Sequence, residues 1–156
     1  MEKTIQLKQV GTVYNNRNQI IDDYWGSIES IIKLNSDSYE KSATDGLNKF
    51  SHIEVLFYMD RVDQNKIITA KRHPRNNINL PKVGILAQRG KNRPNQIASS
   101  IAQLISVNDL ELKVIGLDAI NNTPVLDIKP YFLDMIPNKK SIKEPNWVFE
   151  ISKNYF

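Results

Sequence analysis

Residues 97–107, "IASSIAQLISV", decide the fold, because they read two ways. Ile97, Ile101, Leu104 and Ile105 recur at a helical period, whereas Ile101, Ile105 and Val107 also fit the alternation of a strand. Periodicity alone leans slightly towards a helix. The flanks lean the other way: "SHIEVLFYM" before it is β-branched and aromatic enough for a central strand, and "DLELKVIGLD" after it alternates through Leu110, Leu112 and Val114.

Further out the same strand signals recur. "TIQLKQVGTV" sets Ile5 and Leu7 on one face, and "SIESIIKL" alternates through Ile28, Ser30, Ile32 and Leu34. "KIITAKR" and "KVGILAQR" are further short strands, joined by "HPRNNINLP", whose prolines at 74 and 81 exclude regular structure. "ATDGLNKF" is a turn or a single helical turn. "TPVLDIKPY" is a strand bracketed by Pro124 and Pro130, with Val125, Asp127, Lys129 and Tyr131 expected on one face and Leu126 and Ile128 on the other. The tail "EPNWVFEISKNYF" is a short amphipathic helix or a last strand. Seven or eight short strands with almost no long helix predict a mainly β chain, a single small barrel or sandwich over residues 1–156 with only short helical turns.

Composition narrows the chemistry. The 156 residues suffice for one domain with a real core, and 40% apolar with 24% charged is ordinary for a folded soluble chain. No run of eighteen apolar residues exists to span a bilayer, and "MEKTIQLKQV" lacks the pattern of a secretory signal, so a cytoplasmic location is expected. Without cysteine there is no disulfide framework, thiolate zinc site or cysteine nucleophile. His52 and His73, without a carboxylate cluster, give no metal signature. No Gly-x-Gly-x-x-Gly and no phosphate loop point to a nucleotide fold of the usual kinds.

The net charge of +4 hides an asymmetry. No Asp or Glu occurs between Gln64 and Asn108, while Lys66, Lys71, Arg72, Arg75, Lys82, Arg89, Lys91 and Arg93 do; the rest of the chain has thirteen cations and seventeen anions, or −4. Such polarity suits a polyanionic partner, and equally a scatter of cations over several faces. Within "RGKNRPNQI", Pro94 holds Arg93 extended, and with Arg89, expected at a strand end, it forms a fork suited to carboxylate or phosphate; a polar loop whose arginines cap carbonyls is the plainer alternative. Asp127 and Lys129 are likewise readable as an outward ion pair.

Together, "FSHIEVLFYM", "RHPR", "LPKVGILAQRGKNRPNQIASS" and "LELKVIGLDAINNTPVLDIKPY" resemble, in order and spacing, the TsaA-like domain, the family of the TrmO tRNA methyltransferases, over about residues 5–137. "DDYWGSIESIIKL" is similar to a Trp-Gly version of its N-terminal region. The resemblance implies a small non-Rossmann β-barrel, a homodimer, that binds S-adenosylmethionine and methylates N6 of threonylcarbamoyladenosine beside the tRNA anticodon. It implies a strand for residues 97–107, and the barrel alone, without the additional C-terminal domain of some members.

Carried over by position, it implies cofactor binding by Asp60, Arg61, Arg89, Ser99, Gly116, Leu117, Asp118 and Ala119, with Asp127 or Asp118 as a base. RNA contacts fall to Lys71, Arg72, Arg75, Lys91, Arg93, Asn95, Lys129 and Tyr131, and the Arg-Pro-Asn and Asp-Ile-Lys-Pro-Tyr motifs are expected to meet at the barrel mouth. The sequence departs from the family's pattern at "RGK" for Arg-Ser-Pro, "NQIA" for Asn-Pro-Ile-Gly and "NNTP" for Asp-Gly-Thr-Pro. Asn122 is then the residue best able to take the glycine's positive φ, Ala98 is expected to narrow a backbone approach to the ligand, and the acceptor is less fixed than the donor. A same-fold enzyme on another RNA or a small molecule, and a non-catalytic S-adenosylmethionine-binding protein, are the alternatives.

Overall fold

The computed structural model describes residues 3–156; the reading of the N-terminus as free of a secretory signal begins at Met1 and Glu2, outside them. Among the described residues eight strands form: β1 (Gly11–Tyr14), β2 (Glu29–Leu34), β3 (His52–Tyr58), β4 (Lys71–Arg72), β5 (Val83–Gly84), β6 (Ile97–Asn108), β7 (Glu111–Ile115) and β8 (Pro124–Pro130). Six of them close into an antiparallel barrel in the order β1-β2-β7-β6-β3-β8, and β4 and β5 pair separately. Closure leaves the barrel without an unpaired edge. One short α-helix, α1 (Trp147–Ser152), and several 3-10 turns complete it, and no helix is long and apolar enough to cross a membrane among the described residues.

The core follows the alternation. Ile53, Val55 and Phe57 of β3, Leu112 and Val114 of β7, Val13 and Ile32 all point inward at 2% exposure or less. Each such side chain stabilises the fold by about 1.5–3 kcal/mol through its burial. β1 approaches β2 so closely that a Cβ on Gly11 would lie 2.6 Å from the Lys33 carbonyl oxygen, so only glycine fits there.

Residues 97–107 form a strand, and the helical lean has a physical origin. The inward residues of β6 are the small Ala98, Ser100 and Ala102 with Leu104, while Ile97, Ile101 and Ile105 lie on the outer face, 38–44% exposed. The register shifts between Leu104 and Ser106, and this bulge places two branched residues side by side, which imitates a helical repeat. Ala98 is half-buried and packs against the core.

Four other expectations are corrected. The first strand begins only at Gly11; Ile5 and Leu7 are 74% and 62% exposed, because pairing with β2 ends at Leu34 and with β8 at Val125, leaving residues 3–9 no ladder. "KIITAKR" and "KVGILAQR" contribute two residues each, and Arg89 lies in the loop beyond β5 and a 3-10 turn rather than at a strand end. In β8 the register shifts where Phe57 meets Val125 and Leu56 meets Asp127, so Val125 is in the core at 0% exposure and does not share the face of Asp127. The tail is helical.

Candidate functional site

Strand direction assigns the loops to two ends. β1, β3 and β7 run towards the end at which β2, β6 and β8 begin. Residues 15–28, 59–64, 85–96 and 116–123 converge there. Gly116, at φ +82°, turns the chain out of β7, and Leu117 and Ala119 then plug the barrel with 0% and 3% exposure. Leu117 and Ala119 therefore offer a ligand their backbone, not their side chains. Asn122 takes φ +68°, the conformation expected of it.

Between those plugs stands Asp118. Its amide donates to Ser100 Oγ at 3.4 Å, and its carboxylate accepts no hydrogen bond among the described residues. Burial, assisted by the Asp22 carboxylate, pushes its pKa up to about 7, against the pull of Arg17, Arg89 and Lys91. Arg89 donates to the Ser99 carbonyl at 2.8 Å and to Ser99 Oγ at 3.4 Å, and Arg61 donates to the Asn121 carbonyl at 3.2 Å. Arg17, Arg61 and Arg89 form no ion pair with a carboxylate among the described residues. With no carboxylate at ion-pair distance, these guanidinium groups suit an anion. Asp60 is exposed directly after β3.

Residues 15–26, which sequence reasoning left out of the site, build one of its walls. Asn15 Nδ2 donates to Ser30 Oγ and to the Ala119 carbonyl, both at 2.9 Å, and its Oδ1 accepts from the Arg17 amide. Arg17 stacks 3.8 Å from the Trp25 ring centroid and donates to the carbonyls of Ile21, Asp23 and Tyr24 at 3.1, 2.5 and 2.9 Å. From behind, the Tyr24 and Trp25 amides donate to the carbonyls of Asn154 and Tyr155 at 2.9 and 2.8 Å. Partners this distant in sequence leave no local pattern to read. Gln96 is the other omission: 2% exposed at φ +51°, it donates to the carbonyls of Met59 and Val62 and accepts from Tyr58 and Gln64, tying two loops of the site together.

The basic segment is largely engaged within the fold. Arg93 donates to the carbonyls of Ile85 and Gln88, so the expected fork with Arg89 does not form. Arg72 bonds Asn76, while Lys91–Asp22 and Arg75–Asp23, each at 2.7 Å, tie the segment to residues 22–23. Lys71 and Asn95 are exposed and have no ion pair or side-chain hydrogen bond among the described residues.

Asp127 belongs elsewhere. It pairs with Lys129, accepts from the Ile128 amide at 2.9 Å, and lines a cavity of about 380 Å³ with Val10, Leu34, Tyr39 and Phe50, at the end opposite Asp118. Tyr131 continues the chain there, its amide donating to the His52 carbonyl. Within one chain the Arg-Pro-Asn and Asp-Ile-Lys-Pro-Tyr motifs do not meet.

Comparison with known proteins agrees with this arrangement of strands. The model of the tRNA-methyltransferase O N-terminal domain matches residues 12–135. A probable S-adenosyl-L-methionine-binding protein of Archaeoglobus fulgidus is 30% identical over 87% of this chain, and one of Methanocaldococcus jannaschii is 31% identical over 79%. The human tRNA (adenine(37)-N6)-methyltransferase is 33% identical over 70%. The chain spans 37%, 89% and 24% of the length of these three proteins, respectively. The crystal structure of TrmO from Pseudomonas aeruginosa superposes with a TM-score of 0.75 at 20% identity, covering 94% of this chain and 63% of that one, which establishes the shared barrel.

Proposed function

Since the chain belongs to the tRNA-methyltransferase O N-terminal domain family, we propose that it is an S-adenosylmethionine-dependent methyltransferase acting on N6 of a modified adenosine, threonylcarbamoyladenosine, beside the tRNA anticodon. The observation that carries this reading is the Asp118 carboxylate, mostly buried, accepting no hydrogen bond from the described residues, and lying in the field of Arg17 and Arg89, neither of which forms an ion pair among them.

The residues at this end fit the donor. Arg89 or Arg61 is suited to its carboxylate, and Asp118 to its positive charge. The backbone from Gly116 to Ala119 offers polar groups for a base edge, and nothing lies within 4 Å of where a Cβ on Gly116 would be. When bound, S-adenosylmethionine supplies a methyl group already activated by the sulfonium. The protein's task is then to orient the acceptor, exclude water and receive a proton. The N6 proton is the one to remove, because that nitrogen's lone pair is delocalised into the purine and the adjoining carbonyl. A carboxylate titrating near 7 is matched to that step, so Asp118 is the favoured base. Asp127, engaged by Lys129 at the other end, is the less suited of the two.

The reading includes a homodimer in the cytoplasm. The exposed isoleucines Ile97, Ile101 and Ile105 on one strand face support self-association, and a partner's Asp-Ile-Lys-Pro-Tyr segment would have to reach the Asp118 end for both motifs to act at one site.

Incubating the protein with methyl-labelled S-adenosylmethionine and tRNA with or without the threonylcarbamoyl group tests the proposal. Label should enter only the carbamoylated tRNA; label in neither sinks it. One observation favours a different acceptor: Gln96 sits at φ +51°, which the proline of the family's pattern cannot adopt, so this loop follows its own path. Transfer to uncarbamoylated RNA or to a small acceptor would establish that second reading.

A further inference from the structure

Tyr24 occupies a left-handed backbone conformation, φ +65°, which costs a non-glycine residue roughly 1–2 kcal/mol. Its side chain is no part of the buried core. It is 65% exposed, and its hydroxyl makes no hydrogen bond among the described residues. The neighbouring Trp25, 3% exposed, does the anchoring.

The strain is nevertheless held from two sides. Arg17 donates to the Tyr24 carbonyl at 2.9 Å, and the Tyr24 amide donates to Asn154 at 2.9 Å. In the two residues before it, Asp22 is tied to Lys91 and Asp23 to Arg75, and the field of Asp22 reaches Asp118. An outward aromatic ring thus stands on a braced backbone in the wall of the Asp118 site, in a loop that residues 22 and 23 tie to the basic segment. An exposed ring on a fixed backbone is the kind of surface that receives an unstacked base of single-stranded RNA, whose π-face lies on the ring.

We propose that Tyr24 is a stacking platform for a nucleobase of the RNA substrate, flanking the base presented to Asp118. The inference rests on the RNA-methyltransferase reading above. The test compares wild type with Tyr24→Asn, which tolerates the left-handed backbone, and Tyr24→Phe, which keeps the ring. The probes are an anticodon stem-loop RNA and, separately, S-adenosylmethionine. Tyr24→Asn should weaken RNA binding roughly 5- to 150-fold, the equivalent of one stacked base. Tyr24→Phe should stay within about twofold of wild type, and neither substitution should move the affinity for S-adenosylmethionine. Equal RNA binding by Asn and wild type overturns the proposal while the methyltransferase reading stands. A matching loss of S-adenosylmethionine affinity overturns it in favour of a structural role. A wild-type protein that binds no RNA overturns both.

Discussion

Asp118 and Arg89 hang from adjacent residues of β6: the Asp118 amide donates to Ser100 Oγ, and the Arg89 guanidinium donates to the Ser99 carbonyl. A carboxyl group raised to about 7 and a guanidinium without a carboxylate partner therefore share one end of the barrel. Most of the expected chemistry follows from that adjacency.

Activity should rise with pH through about 7, because Asp118 accepts a proton only as the carboxylate. The stability dependence has the opposite sign. A carboxyl whose folded pKa lies above its unfolded value near 3.8 stabilises the fold most below 3.8, and that contribution is lost as pH rises to about 7. Asp118→Asn should abolish the rise in kcat/KM and, at pH 8, should melt higher than wild type. A mutant melting curve with the same pH dependence as wild type would contradict the assignment.

Lys91→Ala should shift the activity profile to higher pH. Lys91 lowers the Asp118 pKa directly and also neutralises Asp22, which raises it. The pair itself is half exposed and is worth only about 0–1 kcal/mol, so thermal stability should barely change. Profiles of kcat/KM against pH for the two proteins decide the matter.

The barrel was legible in the sequence because β3, β7 and β2 alternate cleanly, each with one face in the core. β6 was not, since its isoleucines face outward and a bulge interrupts its period. At the site, the resemblance named Arg89, Ser99 and residues 116–119, but Asn15 and Gln96 act through backbone carbonyls of distant loops and Arg17 through carbonyls of its own irregular loop, and such contacts have no repeating spacing to detect. The fork of Arg89 and Arg93 failed because the 3-10 turn at Ile85–Ala87 presents the carbonyls that Arg93 takes.

Gln96→Ala should destabilise the protein by about 1–3 kcal/mol, since it removes a buried amide and leaves the half-buried carbonyls of Met59 and Val62 and the side chain of Gln64 without this partner. Chemical denaturation measures it. Loss of less than half a kcal/mol would mean that water replaces the amide freely.

Gly26→Ala should release residues 154–156 from the wall of the site. The added Cβ would lie 2.7 Å from the Phe156 backbone carbon and 3.2 Å from its Cα, too close to remain. Faster hydrogen exchange at the Tyr24 and Trp25 amides is the expected signature, because their acceptors are Asn154 and Tyr155. Unchanged exchange would show that the segment adjusts without leaving.

The two ends of the barrel make competing claims on the donor, and calorimetric titration of S-adenosylmethionine into Arg89→Ala and Asp127→Ala separates them. Arg89→Ala should bind at least about tenfold more weakly, as expected for a lost charge-assisted pair, and Asp127→Ala should bind as wild type does. Unchanged binding in the first together with weakened binding in the second would move the donor to the opposite end and contradict the account.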